Sequence, residues 1–228
     1  MPDTINCIID LSHHNGNVSL IQAAADGIVG VIHKATQGTQ FSDPAYAANK
    51  QKASDAGLLW GAYHFGDGSD TIAQAEHFLN VVQPDDRTLM ILDFEQNTQG
   101  PSMTLDGARA FVNHINEKVG RFPGLYGGSF LKGLLGRSLD PVLANCWFWL
   151  AQYSNTPVVP RNWPTWTIWQ YTDGKLGQPP YEVQGVGKCD RDFFNGNMDA
   201  LKALWGVSTD TSNNTGDAGN IDNAAGAP

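Results

Sequence analysis

Residues 88–97, TLMILDFEQN, constrain this chain more than any other stretch. Leu89 to Leu92 are four apolar residues in a row, the pattern of a strand buried on both faces in a helix-covered parallel sheet. The run ends in Asp93-Phe94-Glu95. Side chains two apart on a strand share a face, so Asp93 and Glu95 are expected to point one way and Phe94 the other. Their Cα atoms would stand roughly 6–7 Å apart, two strand steps. Two carboxylates at the carboxyl end of a buried strand are costly in a core and natural at an active site. Their plainer use is to cap the helix that follows.

Strands and helices alternate around this run. Residues 6–11, 30–35 and 58–65 read as strands one to three, 88–95 as the fourth and 124–127 as the fifth. Helices are expected over 19–25, from Pro44 to Gly57, and over 71–82. Leu105, Ala108, Phe111, Val112, Ile115 and Val119 trace the clearest amphipathic helix, ended by Gly120. Beyond it the rhythm changes. Residues 147–153 and 165–171 are aromatic strands with no helix pattern between them, 183–190 carry the last strand into Asp192-Phe193-Phe194, and 198–205 make a final helix. The fold class is therefore α/β, a modified TIM-like β/α barrel of about eight strands with a strand-rich, helix-poor second half. One catalytic domain is expected over residues 1–205. Residues 206–228, rich in Gly, Asn, Asp, Ser and Ala, are expected to form a disordered low-complexity tail.

Fourteen Lys and Arg against 23 Asp and Glu give a net charge of −9 without a basic patch, which speaks against nucleic acid as a partner. No apolar run approaches the roughly 20 residues of a membrane span. The start, MPDTINCIIDLSHH, lacks the charged and apolar regions of a signal peptide. Cys7, Cys146 and Cys189 are widely spaced and read as buried free thiols, with a Cys7–Cys189 bridge as the alternative. No metal-ligand spacing, phosphate loop or dinucleotide fingerprint is present, so neither metal nor cofactor is expected.

Three strands finish on acids: Asp10, the Asp93/Glu95 pair, and Asp190. In β/α barrels chemistry is assembled at the carboxyl ends of strands, and the first and last strands become neighbours on closure. Acids on opposite walls of one cleft suit glycoside hydrolysis, one carboxyl protonating the leaving oxygen and another stabilising the cationic carbon. Crowding raises the pKa of at least one. Glu95, with the longer reach, is expected to be the general acid, and Asp93 to stay ionised and hold it. His13 and His14 are adjacent and face opposite ways on an extended chain, so a shared metal is disfavoured and a loop His lining the cleft is expected. His33 and His64, in strands, are expected to be satisfied by hydrogen bonds. Trp147 and Trp149 share a parity that suits core or barrel lining.

The stretches IDLSHHNG, KATQG, AGLLWGAYHF, LDFEQN, LYGG, WLAQY, IWQYTDG and CDRDFFNG, taken in order, resemble family 25 glycoside hydrolases, the Chalaropsis-type lysozymes, over about residues 5–205. The resemblance implies a modified β/α barrel that cleaves the β-1,4 bond between N-acetylmuramic acid and N-acetylglucosamine in peptidoglycan. It places Glu95 as general acid and Asp93, Asp10 and Asp190 as the other cleft acids. Tyr63, Trp169 and, more weakly, Tyr126 match substrate-contacting aromatics. Asp192 stands where many relatives carry Asn, and is expected to lie beyond the strand in a structural role. The partner implied is the peptidoglycan glycan strand, met by a monomer that does not insert in membranes. Such a chain is expected in the cytoplasm until release, as an endolysin or effector, or secreted with its leader missing. Two rivals stand beside this: a metal-dependent hydrolase using the same acids, and a peptidoglycan-binding module without turnover.

Overall fold

The computed structural model describes residues 4–207. Its eight barrel strands are β1 Thr4–Leu11, β2 Gly30–Gln37, β3 Leu59–Phe65, β4 Leu89–Asp93, β5 Gly124–Gly127, β6 Phe148–Ala151, β7 Ile168–Thr172 and β8 Asp190–Asn195. Each pairs with the next, and β1 pairs with both β2 and β8, which closes the ring. The first seven strands run parallel, while β8 is antiparallel to both β7 and β1. The expected α/β barrel with a helix-poor second half is what the chain forms.

Alternation along each strand sorts the apolar side chains into two cores. Ile8, Ile32, Ile91, Tyr126, Trp149, Ile168 and Phe194 fill the barrel interior. Ile9, Val31, Met90, Leu125, Phe148 and Tyr171 face the outer layer of helices and loops. The helices are α1 Leu20–Ala25, α2 Tyr46–Asp55, α3 Thr71–Val82, α4 Leu105–Val119, α5 Ser129–Leu135 and α6 Met198–Leu204. In α4 the Thr104 side chain accepts the Gly107 N–H, and Gly120 ends the helix in the left-handed region. Beneath α3 and α4, His64 stacks on Phe111 and bonds Thr36 and Gln74, and burial lowers its pKa to about 4. It is a satisfied neutral core histidine. After α6, Trp205 packs against the barrel floor, its indole N–H on the Trp60 carbonyl. Gly30 makes room there, since a Cβ would stand 3.3 Å from that ring.

Several expectations need correction. Pro44 does not open α2; the helix starts at Tyr46, after the Asp43 carboxylate has taken the Ala45 N–H. Helix α5 was not expected, because Gly133 breaks a short apolar run. The last strand does not end at Asp190 but begins there, after a ribbon of Glu182–Val183 and Gly187–Lys188. An antiparallel neighbour needs no crossover helix, which is why β7 passes to β8 without one. Cys7, Cys146 and Cys189 are free and buried, so the alternative bridge is not made. The expected tail lies, from residue 208 onward, outside the described residues. Among the described residues no helix is long and apolar enough to cross a membrane.

Candidate active site

The reversal of β8 brings its first residue to the end of the barrel where the parallel strands finish. Asp190 stands directly opposite Asp10 in the β1–β8 register. Half-way round, β4 ends at Asp93, flanked by Phe65 of β3 and Tyr126 of β5. Glu95 follows two residues past the end of the strand, while Phe94 turns into the outer core against Phe130. The alternation inferred for Asp93-Phe94-Glu95 thus continues beyond the last ladder bond.

Asp10, Asp93, Glu95 and Asp190 line one pocket of about 220 Å3, together with Tyr63, Tyr126, Trp149, Tyr153 and Gln170. Gln170 organises its floor. Its Oε1 accepts the Tyr126 hydroxyl at 2.9 Å and the Tyr153 hydroxyl at 2.8 Å, and its Nε2 donates to Asp10 Oδ2 at 2.7 Å. Two donors on one end and an acceptor on the other fix the amide orientation. Trp149 meets Tyr126 edge to face at 4.7 Å and donates its indole N–H to Asp192 Oδ1 at 2.7 Å.

Asp192 was expected beyond the strand; it is instead fully buried inside β8, on the same face as Asp190. No donor reaches its Oδ2, and the Asp10 carboxyl is a neighbour of the side chain. Neighbouring carboxylates repel, which raises the pKa of at least one of them. Burial pushes both pKa values well above the usual carboxylate range, with Asp190 adding to each.

The Asp93/Glu95 pair also departs from expectation. Asp93 is the deeper of the two, and burial, then the neighbouring Glu95, push its carboxyl well up. Its Oδ1 has no partner. Glu95, half-buried, is raised by burial. Lys34 on β2 opposes both shifts. Burial thus favours the neutral form of Asp93 as well as that of Glu95, in the opposite direction to an Asp93 that stays ionised. Asp190 rises to about 6, through burial and then the charge of Asp173.

Two residues expected at the cleft lie elsewhere. Trp169 sits on the outward parity of β7, between Ile168 and Gln170, which face inward; it packs with Trp166 and Phe193 and donates to the Gln152 carbonyl at 2.7 Å. His13 is drawn away by Asp43, its Nδ1 lying 2.7 Å from Oδ2, and does not line the pocket. Gln170, Tyr153 and Asp192 were not singled out as site residues. The inward parity of IWQYT marked Gln170, and the strand-to-loop step of WLAQY marked Tyr153. Among the described residues no three His, Cys, Asp or Glu side chains are disposed to hold a metal ion.

The family model for glycosyl hydrolases family 25 matches residues 9–177, which includes Asp10, Asp93 and Glu95 and stops before Asp190. Lysozyme M1 of Streptomyces globisporus is 32% identical over 212 residues, 86% of this chain and 70% of its own. The N,O-diacetylmuramidase of a Chalaropsis species is 30% identical over 213 residues, 86% of this chain and 96% of its own. The crystal structure of the bacterial lysozyme from Streptomyces coelicolor superposes with a TM-score of 0.77 at 32% identity, covering 89% of this chain and 98% of that one. The chain belongs to glycosyl hydrolase family 25.

Proposed function

We propose that Glu95 is the general acid with which this glycoside hydrolase, a lysozyme of the muramidase type, opens peptidoglycan. The convergence of Asp10, Asp93, Glu95 and Asp190 on one pocket is the observation that carries the assignment. Glu95 delivers its proton to the oxygen between N-acetylmuramic acid and N-acetylglucosamine. Burial raises the Glu95 carboxyl, which favours the proton-bearing form, and Asp93, deeper, is pushed up by burial and then by the charge of Glu95. Positive charge then develops on the muramic acid C1, and Asp190, ionised above about pH 6, faces it across the pocket. Asp10 is held by Gln170 beside Asp190. Tyr63 and Tyr126 offer ring faces and edges to the sugar.

The catalytic unit is residues 1–205, acting as a monomer on glycan strands of the cell wall. Product ends test the reading. Purified peptidoglycan digested by the protein and reduced with borohydride should yield muramic acid alcohols. Glucosamine alcohols would assign the cut to the other linkage. Loss of activity in chelator with return on adding Mg2+ or Zn2+ would replace the acid mechanism by metal-dependent hydrolysis.

A further inference from the structure

The acid pocket opens sideways past Glu95, Tyr126 and Tyr153 into a larger hollow of about 750 Å3, walled by α5 and the chain after β6. Phe130 and Lys132 of α5 line it, facing Gln152. We propose that Lys132, oriented by Gln152, forms an anion-recognition point in this groove, which takes an ionised carboxylate carried by the muramic acid unit of the substrate. The inference rests on the muramidase reading and adds to it the charged group that the enzyme recognises.

Among the described residues lining the two hollows, Lys132 is the one cation. Its Nζ donates to Gln152 Oε1 at 2.6 Å, and no carboxylate of the described residues pairs with it. An ammonium has three N–H donors, so two remain for a ligand. Gln152 is itself tethered, its Nε2 donating to Ser154 Oγ at 2.6 Å and to the Thr156 carbonyl at 2.7 Å. The acceptor that orients Lys132 is therefore fixed before substrate arrives. Burial lowers the Lys132 pKa with no acid to offset it. Lys34, by contrast, has Asp93, Asp43 and Glu95 close enough to offset its burial. A half-buried cation without a counter-ion is stabilised by any anion that enters.

Charge also gives the groove a direction. The acids of the main pocket repel an anionic substituent, whereas Lys132, on the far side of Glu95, attracts one. A glycan bearing carboxylates thus enters with its acidic branch toward α5, which sets which linkage meets Glu95. Muramic acid has two sources of that carboxylate, the lactyl group when free and the peptide attached to it.

Three strands separate the sources: peptide-free glycan with free lactyl carboxylates, the same glycan with those carboxylates converted to methyl amides, and intact peptidoglycan. In the wild type, kcat/KM on a carboxylate-bearing strand should exceed that on the amidated strand. In Lys132→Met that ratio should fall about 10-fold, chiefly through KM. Lys132→Arg should restore most of it, which a merely misfolded variant would not show. A fall on peptide-free glycan identifies the lactyl carboxylate, and a fall confined to intact peptidoglycan identifies the peptide. A ratio identical in wild type and Lys132→Met overturns the inference alone. Absence of release by the wild type from every strand overturns the muramidase reading, and the inference with it.

Discussion

At the scale of single residues, the site is a problem of satisfying acids rather than of displaying them. Asp10 accepts one hydrogen bond from Gln170, and its neighbour Asp192 accepts one from Trp149. Gln170→Leu removes the donor to Asp10 and the acceptor of two tyrosine hydroxyls. It is expected to lower kcat/KM about 10-fold and to cost about 1–3 kcal/mol of stability, read from peptidoglycan turnover and urea unfolding. Asp192→Asn should act in the opposite sense on stability. The amide keeps an acceptor for Trp149, supplies an N–H to Asp10 and removes one buried acid, so the unfolding midpoint should rise at neutral pH. A lower midpoint would show that the Asp10–Asp192 contact is stabilising as a charge.

At the scale of elements, strand parity decides what a residue can do. The β4 run was legible as a buried strand delivering Asp93 and Glu95 to one side, although the ladder ends at Asp93 rather than at Glu95. Asp190 was legible as a mouth acid for an incorrect reason. A strand's direction leaves no mark on its alternation, so a sequence that begins at the mouth looks like one that ends there. Trp169 was misplaced because a match to the family's substrate-contacting aromatics carries no strand parity, and parity puts Gln170 in the cleft instead. Asp192 was missed because an acid inside a barrel becomes plausible only when its partners, Asp10 and Trp149, are known, and they are far away in sequence. Trp169→Phe tests the parity argument. It deletes one hydrogen bond to the Gln152 carbonyl, so about 1 kcal/mol of stability should be lost. KM for peptidoglycan should change less than two-fold, whereas a sugar-stacking tryptophan would raise it several-fold.

At the scale of the whole molecule, a cluster of buried acids makes stability depend on pH in an unusual direction. Asp190 rises from 3.8 to about 6, and Asp10, Asp93 and Asp192 are pushed up by burial, so the folded chain binds more protons than the unfolded one above about pH 4. Their contribution is fully present below the unfolded pKa and is lost as pH rises through the folded values. Asp85 works oppositely: the Thr88 hydroxyl holds its carboxyl below the ordinary value, and that contribution is lost below about pH 4. Unfolding midpoints in urea should therefore be higher at pH 5 than at pH 8. Asp192→Asn should narrow the difference. A midpoint that climbs steadily from pH 5 to pH 8 would show that the cleft acids are ionised at little cost. The same protonation sets the activity profile, with an acid limb near pH 6 from Asp190 and an alkaline limb where the Asp93/Glu95 pair loses its proton.

Release of reducing ends from purified peptidoglycan by the wild type and by Glu95→Gln, at equal concentration and matched folding, bears most directly on the chemistry assigned to the barrel mouth. Glutamine keeps the size and polarity of the side chain but has no carboxyl proton to deliver. Turnover is expected to fall at least about 100-fold with KM little changed. Equal release by both proteins would contradict the assignment of Glu95 as the acid.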